Sequence, residues 1–269
     1  MQDDLGDRMK RDYENRTRYH LPRRTYTILR VDGKSFHNYT RGLARPFDFA
    51  LMKDMDKTAV ALCEEITGAT FAYVQSDEIS LLLTDFAARD TEAWFDGNIQ
   101  KIASISAGLA TAAFNRARLE RKFQDGSGSL TFEEFETMRG ACFDARLFTI
   151  PDAVEVANYF IWRQKDATRN SVSMAAHALY TSSELHGKRA NDLQEMLWQR
   201  GINWNDYPAG CKRGRVIVRT TYEAERTFTH SETGQTDIAQ VQRHRWQTEA
   251  PPVFTQDKEY LAAKIPTRS

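Results

Sequence analysis

An α+β fold is predicted by three observations. Runs dense in β-branched and aromatic residues recur between turn signals. Runs with apolar residues at helical spacing lie between them. Over residues 1–150 the two kinds follow one another as strand, helix, strand, strand, helix, strand.

Residues 1–22 are polar and basic, with Pro22 as a stop. The run YTILRV makes residues 25–31 a strand, and Asp32-Gly33 ends it with a turn signal. Over residues 46–66, Phe49, Met52, Ala59, Leu62 and Ile66 recur with a helical period. Pro46 suits an early helical position, and Thr67-Gly68 closes the helix. TFAYV and ISLLLTDF, separated by Gln75-Ser76-Asp77-Glu78, predict a hairpin. Residues 92–121 carry a long helical pattern, residues 125–129 (DGSGS) a flexible loop, and residues 142–150 a strand bounded by Pro151. The order is ferredoxin-like, the arrangement also used by nucleic-acid polymerase palms. The predicted core is therefore a palm-like antiparallel sheet with helices.

The C-terminal half reads mainly helical to about Trp198, with aromatics at 158–162 and an apolar stripe at 172–185. Gly201 ends the next helical run. A small strand element follows: residues 216–222, with 227–230 and 241–248 able to pair across Glu232-Thr233-Gly234. Residues 251–269 read as loosely structured, and no internal repeat is visible. The expected organisation is a palm-like catalytic domain at 1–150 and a helical and C-terminal extension at 151–269 that packs on it as one compact unit.

The chain has 269 residues, 41% hydrophobic and 28% charged, the profile of a soluble globular protein. The polar start lacks a signal-peptide core and no stretch is apolar enough to span a bilayer, so the expected location is the cytoplasm. Cys63, Cys142 and Cys211 form no CxxC or zinc pattern and read as reduced thiols. Net charge is zero, which gives no bulk support to nucleic-acid binding. Local basic clusters at 8–11, 16–24, 188–189 and 212–215 are candidate phosphate contacts or ordinary solvated surface.

Chemistry points to Asp32, Asp77 and Glu78. In a ferredoxin-like sheet the first and third strands are antiparallel neighbours, so the end of the first meets the turn before the third. Three carboxylates brought together there repel and call for a cation. Mg²⁺ takes hard oxygen ligands while keeping waters and phosphate oxygens, and two such ions clamp a phosphoryl transfer. The same residues are also common turn sequences, and spacing alone leaves the two readings level. Gly33 permits close backbone approach, and Lys34, Ser35 and His37 supply donors after it, although no P-loop is present. Arg163, Lys165 and Arg169 are spaced to give a basic face, and Lys188 and Asn191 lie one turn apart on a predicted helix.

RVDGKSFHNYT at 30–40, QSDEIS at 75–80, FDAR at 143–146, YFIWRQKD at 159–166 and INWNDYP at 202–208 together resemble the tRNA-histidine guanylyltransferase family of 3′-to-5′ polymerases. The resemblance implies two Mg²⁺ ions held by Asp32, Asp77 and the Gly33 carbonyl, with Glu78 matching an acidic residue needed for activity. It implies that Lys34, Ser35, Phe36, His37 and Ser76 hold the incoming nucleoside triphosphate. Arg30, Arg45, Lys101, Arg163, Arg169, Asn170, Lys188 and Asn191 are the candidate triphosphate or RNA contacts. Relatives activate a 5′-monophosphorylated tRNA with ATP, add GTP, and assemble as homotetramers built from pairs of dimers. Eukaryotic members carry His-Ile-Asn-Asn after the WRQ motif, whereas residues 168–171 here read TRNS. That departure favours the bacterial and archaeal relatives that repair 5′-truncated tRNA by template. The alternatives are a guanylyltransferase strict for tRNA-histidine, a nucleotidyl cyclase on the same palm, and a non-catalytic RNA-binding protein.

Overall fold

The computed structural model describes residues 4–124, 139–229 and 236–268. Helix α1 (Asp4–Asp12) precedes strand β1 (Tyr26–Gly33) and the one-turn helix α2 (Phe36–Tyr39). Helix α3 (Phe49–Glu65), strands β2 (Ala69–Gln75) and β3 (Glu78–Leu83), helix α4 (Ile99–Gln124) and strand β4 (Phe143–Ile150) follow. The C-terminal half holds α5 (Ala153–His177), α6 (Ser182–Leu185), α7 (Ala190–Gln199) and α8 (Ala209–Arg213). It ends with β5 (Arg215–Thr229), β6 (Thr236–Glu249) and α9 (Lys258–Ala262).

The predicted α+β class and antiparallel sheet are what forms. The strand order is β4-β1-β3-β2-β5-β6, and every neighbouring pair is antiparallel. Its first four strands have the ferredoxin-like order. The C-terminal strands extend that sheet, because β5 pairs with β2 through residues 215–218. One sheet face places Leu29, Val31, Ile79 and Leu81 against Met55 and Leu62 of α3 and Phe114 of α4. The opposite face packs Ile28, Phe71 and Leu82 against Val156 and Phe160 of α5. Helices on both faces explain why β3 is buried along its whole length and its sequence lacks the alternation of a half-exposed strand.

Several boundaries differ from the sequence reading. Helix α3 starts at Phe49, because the Asp48 side chain caps it by accepting from the Leu51 N–H at 2.8 Å; Pro46 lies before the helix. Helix α4 starts at Ile99, since Phe95 and Asp96 take positive φ in the turn at 94–97. The apolar stripe read at 172–185 is divided: α5 runs to His177, and Leu185 sits in the separate α6. Residues 251–268 are packed where a loose end was expected. Phe254 and Leu261 are fully buried, Gln164 donates to the Pro252 carbonyl and accepts from the Phe254 N–H, and Tyr26 Oη donates to the Pro266 carbonyl at 2.7 Å. Four widely spaced anchors leave no periodic trace in sequence. The loop expected at 125–129 and the turn at 232–234 lie outside the described residues.

Gly214 sets the entry into β5. Its backbone lies at φ +73° and ψ −170°, and a Cβ there would come 2.6 Å from both Tyr73 Oη and the Val74 carbonyl. Gly214→Ala should cost about 3 kcal/mol, from an unfavourable backbone plus the close contact. The urea midpoint should fall with unchanged denaturant slope.

Candidate functional site

A row of polar side chains crosses one end of the sheet. Asp144 on β4, Asp32 on β1, Glu78 on β3 and Gln75 on β2 stand opposite one another in register. Asp77 occupies the tight turn between β2 and β3, after Ser76 at φ +47°. The Gly33 N–H donates to the Asp77 carbonyl at 3.1 Å, which ties the end of β1 to that turn. On the other side the Lys34 N–H donates to the Cys142 carbonyl at 2.8 Å.

Gly33 is needed for a close approach. A Cβ there would meet the Phe36 ring at 2.2 Å. Phe36 is buried against Phe114 and Phe143, so it folds the segment after β1 back onto the core. Its ring serves packing, and a nucleotide contact from Phe36 would have to come from its backbone. Lys34, Ser35 and His37 around it are exposed.

Glu78 is the most enclosed of the three acids. Arg163 Nε donates to its Oε1 at 2.8 Å and Arg163 Nη2 to its Oε2 at 2.6 Å. Arg30 Nη2 lies 2.9 Å from Oε2, and Gln75 and Ser80 donate to Oε1. Two guanidiniums therefore answer the Glu78 charge, in place of the unbalanced triple carboxylate expected from sequence. Arg30 also reaches within 3.6 Å of Asp32, and Arg146 within 3.7 Å. Among the described residues no three His, Cys, Asp or Glu side chains gather closely enough to hold a metal on their own.

Asp32 and Asp77 differ from Glu78 in their environment. Burial pushes the Asp32 carboxyl above the usual aspartate range; Arg30 opposes the rise, while Glu78 and Asp144 add to it. Burial likewise raises Asp77; its own backbone and Ser76 oppose the rise, and the Asp32 and Glu78 charges add to it. At Asp32 burial outweighs the nearby Arg30 and Arg146, Asp77 has no salt-bridge cation among the described residues, and the oxygens of both are the hard donors that Mg²⁺ takes.

Two cavities open beside this end of the sheet and share Asp48, Leu51, Ser76 and Met174. One has a volume of about 690 Å³ and is also lined by His37, Arg41, Arg45 and His177. The smaller, about 80 Å³, is lined by Gln75, Asn170, Cys211 and Arg215. Asp48, Met174 and His177 were missed by sequence reasoning. No motif marks them, because the start of α3 and the end of α5 meet only through tertiary packing.

Other candidates sit differently from expectation. Arg163 does not share an exposed basic face with Lys165 and Arg169; it is 5% exposed and committed to Glu78 and Asp166. Arg169 is exposed and paired with Asp166. Lys188 precedes α7 and is not on the same helix as Asn191, although both are exposed. Lys101 lies over the Phe95 ring in the first turn of α4, at the end of the sheet away from Asp32. In the basic cluster at 212–215, Lys212 and Arg215 are buried, and Arg215 pairs with Asp56.

Two measurements follow from this geometry. Arg163→Ala strands a buried carboxylate with Arg30 as its remaining cation, and should cost about 3 kcal/mol in urea unfolding. The second concerns pH in metal-free protein. A carboxyl raised in the folded state binds protons that the unfolded chain releases, so stability declines as pH rises from the usual aspartate range through the raised folded value. Asp77→Asn removes that contribution. The variant should match or exceed wild-type stability at neutral pH in chelator, and the advantage should vanish in strong acid. An advantage that stays constant across the pH series would refute the assignment of burial as the cause.

A profile of the family described as tRNAHis guanylyltransferase matches residues 6–151. A solved bacterial tRNA(HIS) guanylyltransferase-like protein in complex with ATP is 39% identical, with a TM-score of 0.80, over 98% of this chain and 100% of that one. A structure of such a bacterial protein in complex with GTP is 38% identical with a TM-score of 0.75, over 98% and 100% of the two chains. A probable tRNA(His) guanylyltransferase of Dictyostelium discoideum is 27% identical over 80% of this chain and 82% of its own length. The chain thus belongs to the tRNAHis guanylyltransferase family, nucleotidyltransferases that act on the 5′ end of tRNA.

Proposed function

We propose that the chain extends 5′-truncated tRNA in the 3′-to-5′ direction and selects each nucleotide by pairing with the opposite strand of the acceptor stem. The 5′-monophosphate first attacks the α-phosphorus of ATP, which forms an adenylylated end and releases pyrophosphate. The 3′-hydroxyl of GTP, or of whichever triphosphate pairs, then attacks that end and AMP leaves. A triphosphorylated end is extended directly with loss of pyrophosphate. The observation that carries the reading is the tie between Gly33 and Asp77 beside a cavity of about 690 Å³, large enough for a nucleotide. The bacterial relatives solved with ATP and with GTP support both triphosphates as substrates.

Asp32, Asp77 and the Gly33 carbonyl would hold two Mg²⁺ ions, and their desolvated oxygens fit that role. When bound, Mg²⁺ neutralises phosphate oxygens and lowers the cost of charge at the attacking and leaving oxygens. Around it, Lys34, Ser35, His37 and Ser76 would hold the triphosphate; His37, Ser76, Arg45 and Asn170 line the adjoining cavities. Glu78 acts from behind, fixed by Arg163, and sets Arg30 against Asp32.

Template selection rests on what this end of the molecule does not present. Asp32, Gly33, Ser76 and Asp77 serve metal and phosphate and offer no guanine-specific edge. In the segment at 168–171, Thr168 donates to the Gln164 carbonyl and Ser171 to the Thr168 and Lys212 carbonyls. Their hydroxyls are engaged internally, which leaves Arg169 and Asn170 exposed. We read residues 1–150 as the catalytic part and 151–269 as the extension packed on it, working as a homotetramer in the cytoplasm. Among the described residues no helix is long and apolar enough to cross a membrane.

The deciding assay offers a tRNA lacking its first nucleotide, with the opposing base changed to each of the four. The added nucleotide should follow the complement each time. Guanosine added whatever the opposing base would mark a dedicated guanylyltransferase instead. Asp32→Ala and Asp77→Ala should each lower addition by at least ~10²–10³-fold, the scale of losing one organised charge contact to the transition state. The wild-type chain should gain thermal stability from Mg²⁺ with triphosphate, and both variants should lose that gain.

A further inference from the structure

Strands β5 and β6 pair with each other from Val216↔Glu249 to Thr229↔Thr236. Only residues 215–218 of β5 also pair with β2. The rest is a two-stranded ribbon reaching past the sheet. At ~3.3 Å per residue, Arg226 lies on the order of 36 Å along the strand from the level of Arg215 and Val74. The ribbon therefore points away from the carboxylate row.

Its two faces differ in charge. Register places Thr220, Tyr222, Ala224 and Arg226 on one face, opposite Arg245, Arg243, Val241 and Ala239. That face continues Val216 and Val218, which lie on the side of the sheet that carries Asp32. Arg226, Arg243 and Arg245 are exposed, and none has a carboxylate partner among the described residues. Arg245 lies over the Tyr222 ring at 5.4 Å. The reverse face carries Glu223 and Glu225 with Arg219 and His244, so it has no excess of positive charge, and Gln240 donates to Glu225. In a chain of zero net charge, three arginines on one ribbon face, without a carboxylate partner among the described residues, form a local cationic surface over residues 222–226 and 243–245.

We infer that this ribbon face binds the phosphodiester backbone of the tRNA body, at a distance from the 5′ end being extended. The inference rests on the proposed action on tRNA and deepens it. Guanidiniums give charge-assisted contacts to phosphate, and an aromatic side chain beside them adds a stacking surface. Backbone contacts position an RNA without reading its sequence, which suits an enzyme whose specificity comes from pairing in the acceptor stem.

The test compares wild type with a triple variant, Arg226→Gln, Arg243→Gln and Arg245→Gln, on two substrates. One is full-length 5′-truncated tRNA; the other is a short acceptor-stem hairpin with the same end, too small to reach the ribbon. The variant should raise KM for full-length tRNA roughly tenfold or more and make its binding less steep in salt by about two to three in log–log slope. KM for the hairpin RNA, KM for the triphosphate and kcat should stay as in wild type. Gel-shift binding of full-length tRNA is measured in parallel, so the inference is read even if no addition occurs on either RNA. An unchanged affinity for full-length tRNA overturns it. Equal losses on both RNAs overturn it too, since the face would then act at the reaction end or on the fold. A change in mass by light scattering, with tRNA affinity restored by raising protein concentration, would assign the face to contact between copies.

Discussion

The buried charge cluster of Glu78, Arg163 and Arg30 is the constraint on which the rest of the site depends. Helix α5 covers the sheet face that carries the acids, and a covering helix placed over an unpaired carboxylate would incur a large desolvation cost. Arg163, projecting from that helix, meets Glu78 with two parallel bonds of 2.8 and 2.6 Å. The planar guanidinium suits such a two-pronged contact, and a lysine would supply only a point charge. Arg30 completes the cluster from the neighbouring strand and leans toward Asp32. The helix that closes the core is thus the same element that settles the charge at the end of the sheet. The strands that carry the acids and the C-terminal helix cannot be arranged independently.

This explains which parts of the molecule were legible in sequence. The first four strands announced themselves through β-branched runs and sharp turns, and the ferredoxin-like order followed from their succession alone. Asp32 and Asp77 stood at strand ends, and strand ends in that order converge by topology, so their proximity could be read without coordinates. Arg163 was legible as a charge but not as a buried one. Its helical neighbours Lys165 and Arg169 are exposed, and only the position of Glu78 beneath the helix distinguishes the three. Likewise Lys212 and Arg215 read as a basic run, either a phosphate contact or solvated surface, until the packing of α8 and the entry of β5 enclose them.

What sequence hid shares a common cause. Phe254, Leu261 and Ile265 seal the second core from a segment with too few apolar residues to show a period. Asp48 and His177 border one cavity although far apart in the chain. The ribbon of β5 and β6 looked like a minor strand pair because its polar residues occupy both faces. Only the register separates Arg226, Arg243 and Arg245 from Glu223 and Glu225. Each case needs a long-range contact to become visible, and local periodicity carries no information about such contacts.

The charge arrangement also separates the balanced carboxylate from the two raised ones by the same physical test. Glu78 is deeply buried and fully answered by cations and hydrogen bonds, so it holds the fold at that point. Asp32 and Asp77 are more exposed than Glu78, and burial and neighbouring acids raise both. An under-compensated pair costs stability in the free protein and is favourable only once a cation and phosphate oxygens are supplied. Arg30, shared between Glu78 and Asp32, limits how far that cost extends. It offsets part of the Asp32 charge without matching it in full. The balanced Glu78–Arg163 pair and the raised Asp32–Asp77 pair are therefore two halves of one arrangement, in which the core supplies the fixed positions and the less buried acids keep the unmet charge.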